Sequence, residues 1–291
     1  MLEGIIIKGV GGLYIVKVKD ELYECKARGL FRKKKITPLI GDKVLIQSDD
    51  LNKTGYIMEI CDRESQLIRP PVANVNQAII VFAIGAPEPN LWLLDRFLLL
   101  AKHQDLDITI CINKFDLDEN GKINGITDIY EKAGYNIIKT STKTGEGIEE
   151  LAKVLENKIT VFAGPSGVGK STLLNKIQPN LELRTGQISK KTKRGKHTTR
   201  HTELMELNNG GWVLDTPGFS SLDINFIIEE ELDYYFPEIY KWKDFCKFRG
   251  CKHRKEPKCE VKAMVESGDI SESRYENYLM FLKEIEDNRR Y

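Results

Sequence analysis

Over the first seventy residues, apolar side chains alternate with polar ones in short runs. "GIIIKGVGGLYIVKV", "ELYECKARG", "DKVLIQS" and "GYIMEICD" are rich in Ile, Val and Tyr, and Gly11-Gly12, Lys19-Asp20 and Ile40-Gly41-Asp42 punctuate them. A two-residue period bounded by turn residues predicts strands with one buried face. About five such strands in so short a stretch predict a small barrel of the OB or SH3-like type. "RGLFRKKKITP" interrupts them and reads as a loop. "RPPVANVNQ", residues 69–77, reads as a linker, because Pro70-Pro71 excludes regular structure there.

Beyond the linker the period changes. "QAIIVFAIG", "DITICINK", "YNIIKTS" and "KITVFAG" are apolar strands, separated by the helical patterns "LWLLDRFLLLAKHQ", "ITDIYEKAG" and "GIEELAKVLEN". Strands apolar on both faces, alternating with amphipathic helices, predict a parallel sheet covered on both sides. The pattern persists to about residue 222. A different region follows, with "EEELDYYFPEIYKWKDF", a cysteine cluster and a last helix in "SESRYENYLMFLKEIEDNRR". Ser271 is placed to cap that helix, with Glu272 and Arg274 in its first turn. The expected fold is multidomain α/β. It has an OB-like β-barrel at 1–70, an α/β sheet domain at 71–222 and an α-helical C-terminal domain at 223–291.

Composition changes this picture little. The 291 residues carry 44 Lys and Arg against 43 Asp and Glu, a net charge of +1, so only local clusters bear on nucleic acid. No apolar run approaches the ~20 residues of a membrane span. The first residues lack a basic leader and a small-residue cleavage site, so no secretory signal is expected. Of the six cysteines, three fall within fourteen residues near the C-terminus. That usage suits a reduced, cytoplasmic protein with one metal site better than a disulfide scaffold.

"GPSGVGKS" fits G-x-x-x-x-G-K-[ST] after an apolar strand and at the start of a helix, the context a phosphate loop requires. Gly164, Pro165, Ser166, Gly167, Val168 and Gly169 curl the backbone so that N–H groups converge on phosphate oxygens. Lys170 sets a positive charge beside the β- and γ-phosphates, Ser171 offers a hydroxyl to Mg²⁺, and Thr172 follows in the first helical turn. Downstream, "VLDTPG" ends an apolar strand in Asp215-x-x-Gly218, where the Asp holds the Mg²⁺ shell and the glycine N–H meets the γ-phosphate.

Base choice lies upstream. Asn113-Lys114-Phe115-Asp116 stands at the carboxyl end of "DITICI", the sheet edge where ligands bind. Asp116 can accept from both the ring N–H and the exocyclic amine of guanine, a donor pair adenine lacks. Asn113 and Lys114 would brace the neighbouring loop and the base. Ser141-Thr142-Lys143, after the next strand, stands where a second base-contacting loop belongs. These four parts of a GTP-binding site occur in cyclically shifted order, which predicts a circularly permuted GTPase, since permutation preserves the three-dimensional site.

A barrel, a permuted GTPase and a Cys/His cluster in this order resemble the small-ribosomal-subunit-dependent GTPases known as RsgA or YjeQ. "GPSGVGKST", "GKHTTRH" and "DTPGF" carry the likeness, which covers essentially the whole chain. The resemblance implies hydrolysis of GTP to GDP, stimulated by the small ribosomal subunit late in its maturation, through contact with rRNA. It also places "SKKTKRGKHTTRHTEL" as the first switch, where Thr198 or Thr199 supplies a further Mg²⁺ hydroxyl. Phe219 follows DTPG where many small GTPases carry a water-orienting glutamine, and a phenyl ring cannot polarise water. The resemblance points instead to a histidine of this segment, His201 or alternatively His197. Gly167 stands where potassium-dependent GTPases tend to carry an asparagine, which speaks against potassium.

"CKFRGCKHRKEPKC" brings Cys246, Cys251, His253 and Cys259 into one short loop, a Cys₃His set typical of structural Zn²⁺, and its spacing matches the RsgA pattern. Lys252 and Arg254 make this loop basic, as Arg32, Lys33, Lys34 and Lys35 do for the barrel loop. Both are candidate RNA contacts. A monomer without a membrane partner is expected. Two other readings stay open: an RNA-binding assembly factor with negligible turnover, and a P-loop ATPase or kinase in which NKFD is incidental.

Overall fold

The computed structural model describes residues 1–68, 70–179, 181, 202–214 and 222–289. Five strands close a barrel: β1 (Leu2–Val10), β2 (Leu13–Val18), β3 (Glu21–Ala27), β4 (Lys43–Asp49) and β5 (Thr54–Ile60), paired in the order β1-β2-β3-β5-β4. All neighbours run antiparallel except β3 and β5. The inward set Ile6, Val16, Tyr23, Val44, Ile46 and Ile57 is fully buried, as the two-residue period requires. Each such aliphatic side chain contributes roughly 1.5–3 kcal/mol of transfer free energy.

Two segments differ from expectation. "RGLFRKKKITP" is not a plain loop but contains a short helix, α1 (Gly29–Lys33). Phe31 is buried while Arg32, Lys33, Lys34 and Lys35 stay exposed, so one apolar residue pins an otherwise charged turn. Residues 69–77 are not a free linker either. β6 (Gln66–Leu67) and β7 (Val72–Ala73) form a small hairpin with Pro70 and Pro71 in its turn, and Val72, Ala73 and Val75 are buried. The Asn74 side chain ties this piece down, donating to the Gly41 carbonyl (2.8 Å) and accepting from the Glu64 N–H (2.9 Å). The prolines forbid a strand only where they stand; the β-branched residue after them is free to pair.

The α/β region contains β8 (Gln77–Ala83), α2 (Leu91–His103), β9 (Asp107–Asn113), α3 (Lys122–Lys132), β10 (Asn136–Thr140), α4 (Ile148–Val154), β11 (Ile159–Ala163), α5 (Lys170–Ile177), β12 (Leu204–Glu206) and β13 (Trp212–Leu214). Its sheet has the order β10-β9-β8-β11-β13-β12. β9 and β10 pair in parallel, β11 and β13 likewise, and β12 returns antiparallel to β13. β8 and β11 are buried at every residue, which is why they read as unbroken apolar runs rather than alternating ones.

By density of contacts the chain divides into two units. One joins Met1–Gln77, Leu151–Phe162 and Ser171–Ser220; the other joins Ala78–Glu150, Ala163–Lys170 and Ser221–Tyr291. The second unit includes the C-terminal helices α6 (Pro237–Tyr240), α7 (Glu260–Ser267) and α8 (Glu272–Asn288). These pack around Leu232, Phe236, Ile239, Phe281 and Leu282, with Trp92 of α2 stacked on Phe281 at 5.4 Å. Ser271 occupies the N-cap position of α8, but its hydroxyl meets that of Ser273 (3.0 Å) rather than a backbone N–H. Arg274 is not a first-turn surface charge. It is 1 % exposed and bonded to Asp95 of α2 (2.6 Å) and Glu238 of α6 (2.7 Å). No helix among the described residues is long and apolar enough to cross a membrane.

Candidate functional site

β9 delivers the expected base-reading residues. Its last residue, Asn113, is wholly buried; its Nδ2 donates to the Val168 carbonyl of the phosphate loop (2.8 Å), and its Oδ1 accepts from Thr140 Oγ1 (3.2 Å). Lys114 takes a left-handed backbone (φ 59°), which turns the chain sharply off the strand. Its Nζ donates to the carbonyls of Gly167 (2.9 Å) and Ala86 (2.6 Å). Both residues therefore buttress the phosphate loop. Asp116 lies one turn on, partly exposed, with Oδ1 accepting from Ser141 Oγ at 2.6 Å. The same buried Ser141 hydroxyl accepts the N–H groups of Lys143 (3.2 Å) and Thr144 (3.1 Å), so it fixes the second loop and orients Asp116 together. Thr142 is half-buried and Lys143 exposed on that loop.

The phosphate loop bends back from the end of β11. Gly164 has φ 137°, and a Cβ there would run into the Val81 carbonyl of β8. Gly169 has φ 100°, and a Cβ there would run into Asn113 Nδ2. Only glycine allows the loop to approach both strands so closely. Lys170 begins α5, half-buried, with Nζ donating to the carbonyls of Gly164 and Pro165, each at 2.8 Å. Burial holds its pKa below the usual lysine value. Ser166 and Gly167 are exposed at the loop's outer rim; Val168 is buried beneath it. Ser171 and Thr172 continue α5, Ser171 half-buried and Thr172 exposed. Thr198, Thr199, His197, His201, Asp215, Gly218 and Phe219 lie outside the described residues.

Two supports of this site are not singled out by sequence reasoning: Thr140 behind Asn113 and the Ala86 carbonyl under Lys114. Both lie at or just beyond strand carboxyl ends, a signal that would have found them.

The cysteine cluster forms a second constellation. The ligand atoms of Cys246, Cys251, His253 and Cys259 lie within 4.8 Å of one another. Cys246 and Cys259 sulfurs are 3.8 Å apart, and His253 Nδ1 is 3.6 and 3.4 Å from them. A tetrahedral ion with Zn–S bonds of ~2.3 Å separates sulfurs by about 3.8 Å, so the set fits structural Zn²⁺. Burial pushes the Cys259 thiol up to about 12, and a bound cation would offset this by favouring the thiolate. The loop is framed by Glu256, whose carboxylate accepts the N–H groups of Lys252, Arg254 and Lys255, and by Tyr275, which donates to the His253 carbonyl (2.5 Å). The two cations expected here as RNA contacts are already paired, Lys252 with Glu229 and Arg254 with Glu286.

Known proteins match this arrangement throughout. The RsgA GTPase family model matches residues 60–225, and the RsgA N-terminal domain model matches residues 3–57. The small ribosomal subunit biogenesis GTPase RsgA of Alkaliphilus metalliredigens is 53% identical over 100% of both chains. The protein of the same name from Clostridium novyi is 51% identical over 98% of this chain and 97% of its own. Among solved structures, YjeQ from Thermotoga maritima superposes with a TM-score of 0.85 at 40% identity, covering 98% of each chain. YloQ, described as a circularly permuted GTPase, gives 0.83 at 44% identity over 99% of this chain and 96% of its own.

Proposed function

The chain belongs to the RsgA family of GTPases, and on that premise we propose that it hydrolyses GTP during late maturation of the small ribosomal subunit, which stimulates its turnover. The observation that carries the guanine assignment is the bonding of Asn113 and Lys114 to the phosphate loop. It supports reading NKFD as part of the same pocket as "GPSGVGKS" rather than as an incidental strand end.

Within that pocket Asp116, oriented by Ser141, reads the two guanine donors, and Thr142 and Lys143 flank the base. Backbone N–H groups of 166–169 receive the phosphates, and Lys170 exchanges the Gly164 and Pro165 carbonyls for β- and γ-phosphate oxygens. A half-buried ammonium is poorly screened, so it stabilises the charge that develops on the transferring phosphoryl group. Mg²⁺, held by Ser171 and by Thr198 or Thr199 with Asp215 in its outer shell, would supply charge neutralisation at the same oxygens. Gly218 meets the γ-phosphate, and His201, or His197 in its place, orients the attacking water. Cys246, Cys251, His253 and Cys259 hold Zn²⁺ in a structural role, because all four positions are filled by protein. Arg32, Lys33, Lys34 and Lys35, exposed on the α1 turn, contact rRNA phosphates. The protein acts in the cytoplasm.

Phosphate release measured with and without purified small subunits tests this reading. Stimulation of tenfold or more is expected, since electrostatic completion of such sites is worth at least that much. GTP and GDP should compete for the site while ATP does not. Equal turnover with and without subunits would leave an RNA-binding factor without stimulated hydrolysis, and ATP competition would leave a general P-loop enzyme.

A further inference from the structure

The C-terminal region displays aromatic rings to solvent beside unspent cations. Among the described residues from 223 onward, six large hydrophobic residues are exposed, and four of them are aromatic: Tyr234, Tyr240, Phe245 and Phe248. Phe245 is 67% exposed and Phe248 44%. They stand on either side of the metal-ligating Cys246, and Phe248 lies at the tip of the Cys246–Cys251 loop between Lys247 and Arg249. Lys247 Nζ sits 5.5 Å over the Phe248 ring, and Lys241 Nζ lies 5.1 Å over Trp242, whose ring is 5.6 Å from Phe245. Three other cations near the tip face carboxylates instead: Lys252 on Glu229, Arg254 on Glu286 and Lys243 on Asp233.

We propose that Phe245 and the Lys247-Phe248-Arg249 tip form a stacking platform for unpaired RNA bases. The proposal rests on the rRNA-binding reading above and narrows it to a structural class of RNA. A folded chain does not leave two phenyl rings in water without cost, and the Lys247 N–H, donating to the Lys258 carbonyl (3.3 Å), ties the tip's backbone to the far end of the loop. Exposed rings offer π-faces to any base, and the flanking cations meet the backbone phosphates on either side. An A-form duplex keeps its bases stacked and its major groove narrow, so only a loop, bulge or single strand reaches these rings. Lys247 against the Phe248 ring disfavours a protein partner, because lysine is depleted from the cores of protein interfaces.

The test uses the full chain loaded with Zn²⁺ and a fluorescent single-stranded oligoribonucleotide, alone and annealed to its complement. Wild type should prefer the single strand. Phe245→Ala and Phe248→Ala should each weaken single-strand binding about tenfold, the scale of one lost base stack, without altering its salt dependence. Lys247→Ala should instead lower the salt slope by about 0.7, one phosphate contact on a single strand. Phe248→Tyr should bind as wild type, and Phe248→Leu should not. All variants should retain their zinc and their basal GTP turnover. Unaltered binding by the alanine variants, binding by the leucine variant equal to wild type, or equal affinity for duplex and single strand would each overturn the proposal. Stimulation by small subunits is read separately: if it is absent while the oligonucleotide series behaves as described, the ribosomal reading fails and the platform stands.

Discussion

Among the described residues Ser141 donates to Asp116, and on the proposed reading that bond sets how well the carboxylate meets guanine. Hydrogen bonds to a charged partner are worth about 1.5–3 kcal/mol, and partial exposure keeps this one at the lower end. Ser141→Ala should therefore weaken GTP and GDP about tenfold in a fluorescent-nucleotide titration, leaving the weak binding of ATP unchanged. Equal loss for both nucleotides would mean that Ser141 only folds the loop. Gly169→Ala should act differently. Its φ of 100° and the Asn113 amide in the way of any Cβ add about 1–3 kcal/mol of strain. Phosphate binding should fall for every nucleotide, checked by the same titration with GTP, GDP and ATP. At this scale much was legible from the sequence, because phosphate and guanine recognition demand particular residue types at fixed spacings. What the spacing could not convey was direction: Asn113 and Lys114 are turned toward the phosphate loop, a matter of rotamer and of a left-handed backbone at Lys114.

The helix α8 shows what is lost between residue and element. Its amphipathic pattern was readable, and so was its start near Ser271, but Arg274 belongs to a buried network with Asp95, Glu238 and, through Asp95, Asn277 and Tyr130. A charge in a first turn looks the same in sequence whether it faces water or a carboxylate contributed by a helix 179 residues away. The α1 turn and the β6–β7 hairpin were missed for a related reason: one Phe or Val among charges and prolines gives no period. Removing one partner of a buried pair leaves the other uncompensated. Arg274→Ala should thus cost about 3–5 kcal/mol in urea unfolding at neutral pH. The pH dependence has a definite sign. Burial raises the Asp95 pKa while Arg274 opposes that rise, so the variant raises it further. A carboxyl whose folded pKa exceeds its unfolded value stabilises the fold below the unfolded value and loses that contribution as pH rises through the folded one. The variant should recover part of its deficit as pH is lowered from neutrality toward the ordinary carboxylate range. A deficit independent of pH would place the loss in packing and not in the stranded carboxylate.

In the whole molecule, chain order and sheet order diverge: β8 to β10 precede the phosphate loop in sequence, yet β8 lies beside β11 in the sheet. That rearrangement was legible because each motif is local to a strand end. Its consequence was not. The segment after DTPG leads straight to the C-terminal helices, and the link between them is a residue that in sequence merely interrupts an apolar helix. Arg96 of α2 donates to the Leu222 carbonyl (2.5 Å), forms a two-pronged ion pair with Glu284 of α8, and lies 4.7 Å from the Trp92 ring and 5.7 Å from that of Phe281. One guanidinium thus holds Leu222, seven residues after Asp215, and α8 at once. Its planar fork makes all three bonds together; an ammonium cannot. Arg96→Lys keeps the charge and should lower subunit-stimulated turnover by about 2- to 30-fold, the range over which a coupling residue acts, while basal turnover and GTP affinity hold. Glu284→Gln should produce part of the same loss, and the double variant should lose less than the sum, as two residues in one contact do. Parallel loss of basal and stimulated rates in Arg96→Lys, or strict additivity with Glu284→Gln, would reduce Arg96 to a packing residue and remove the proposed coupling between Leu222 and α8.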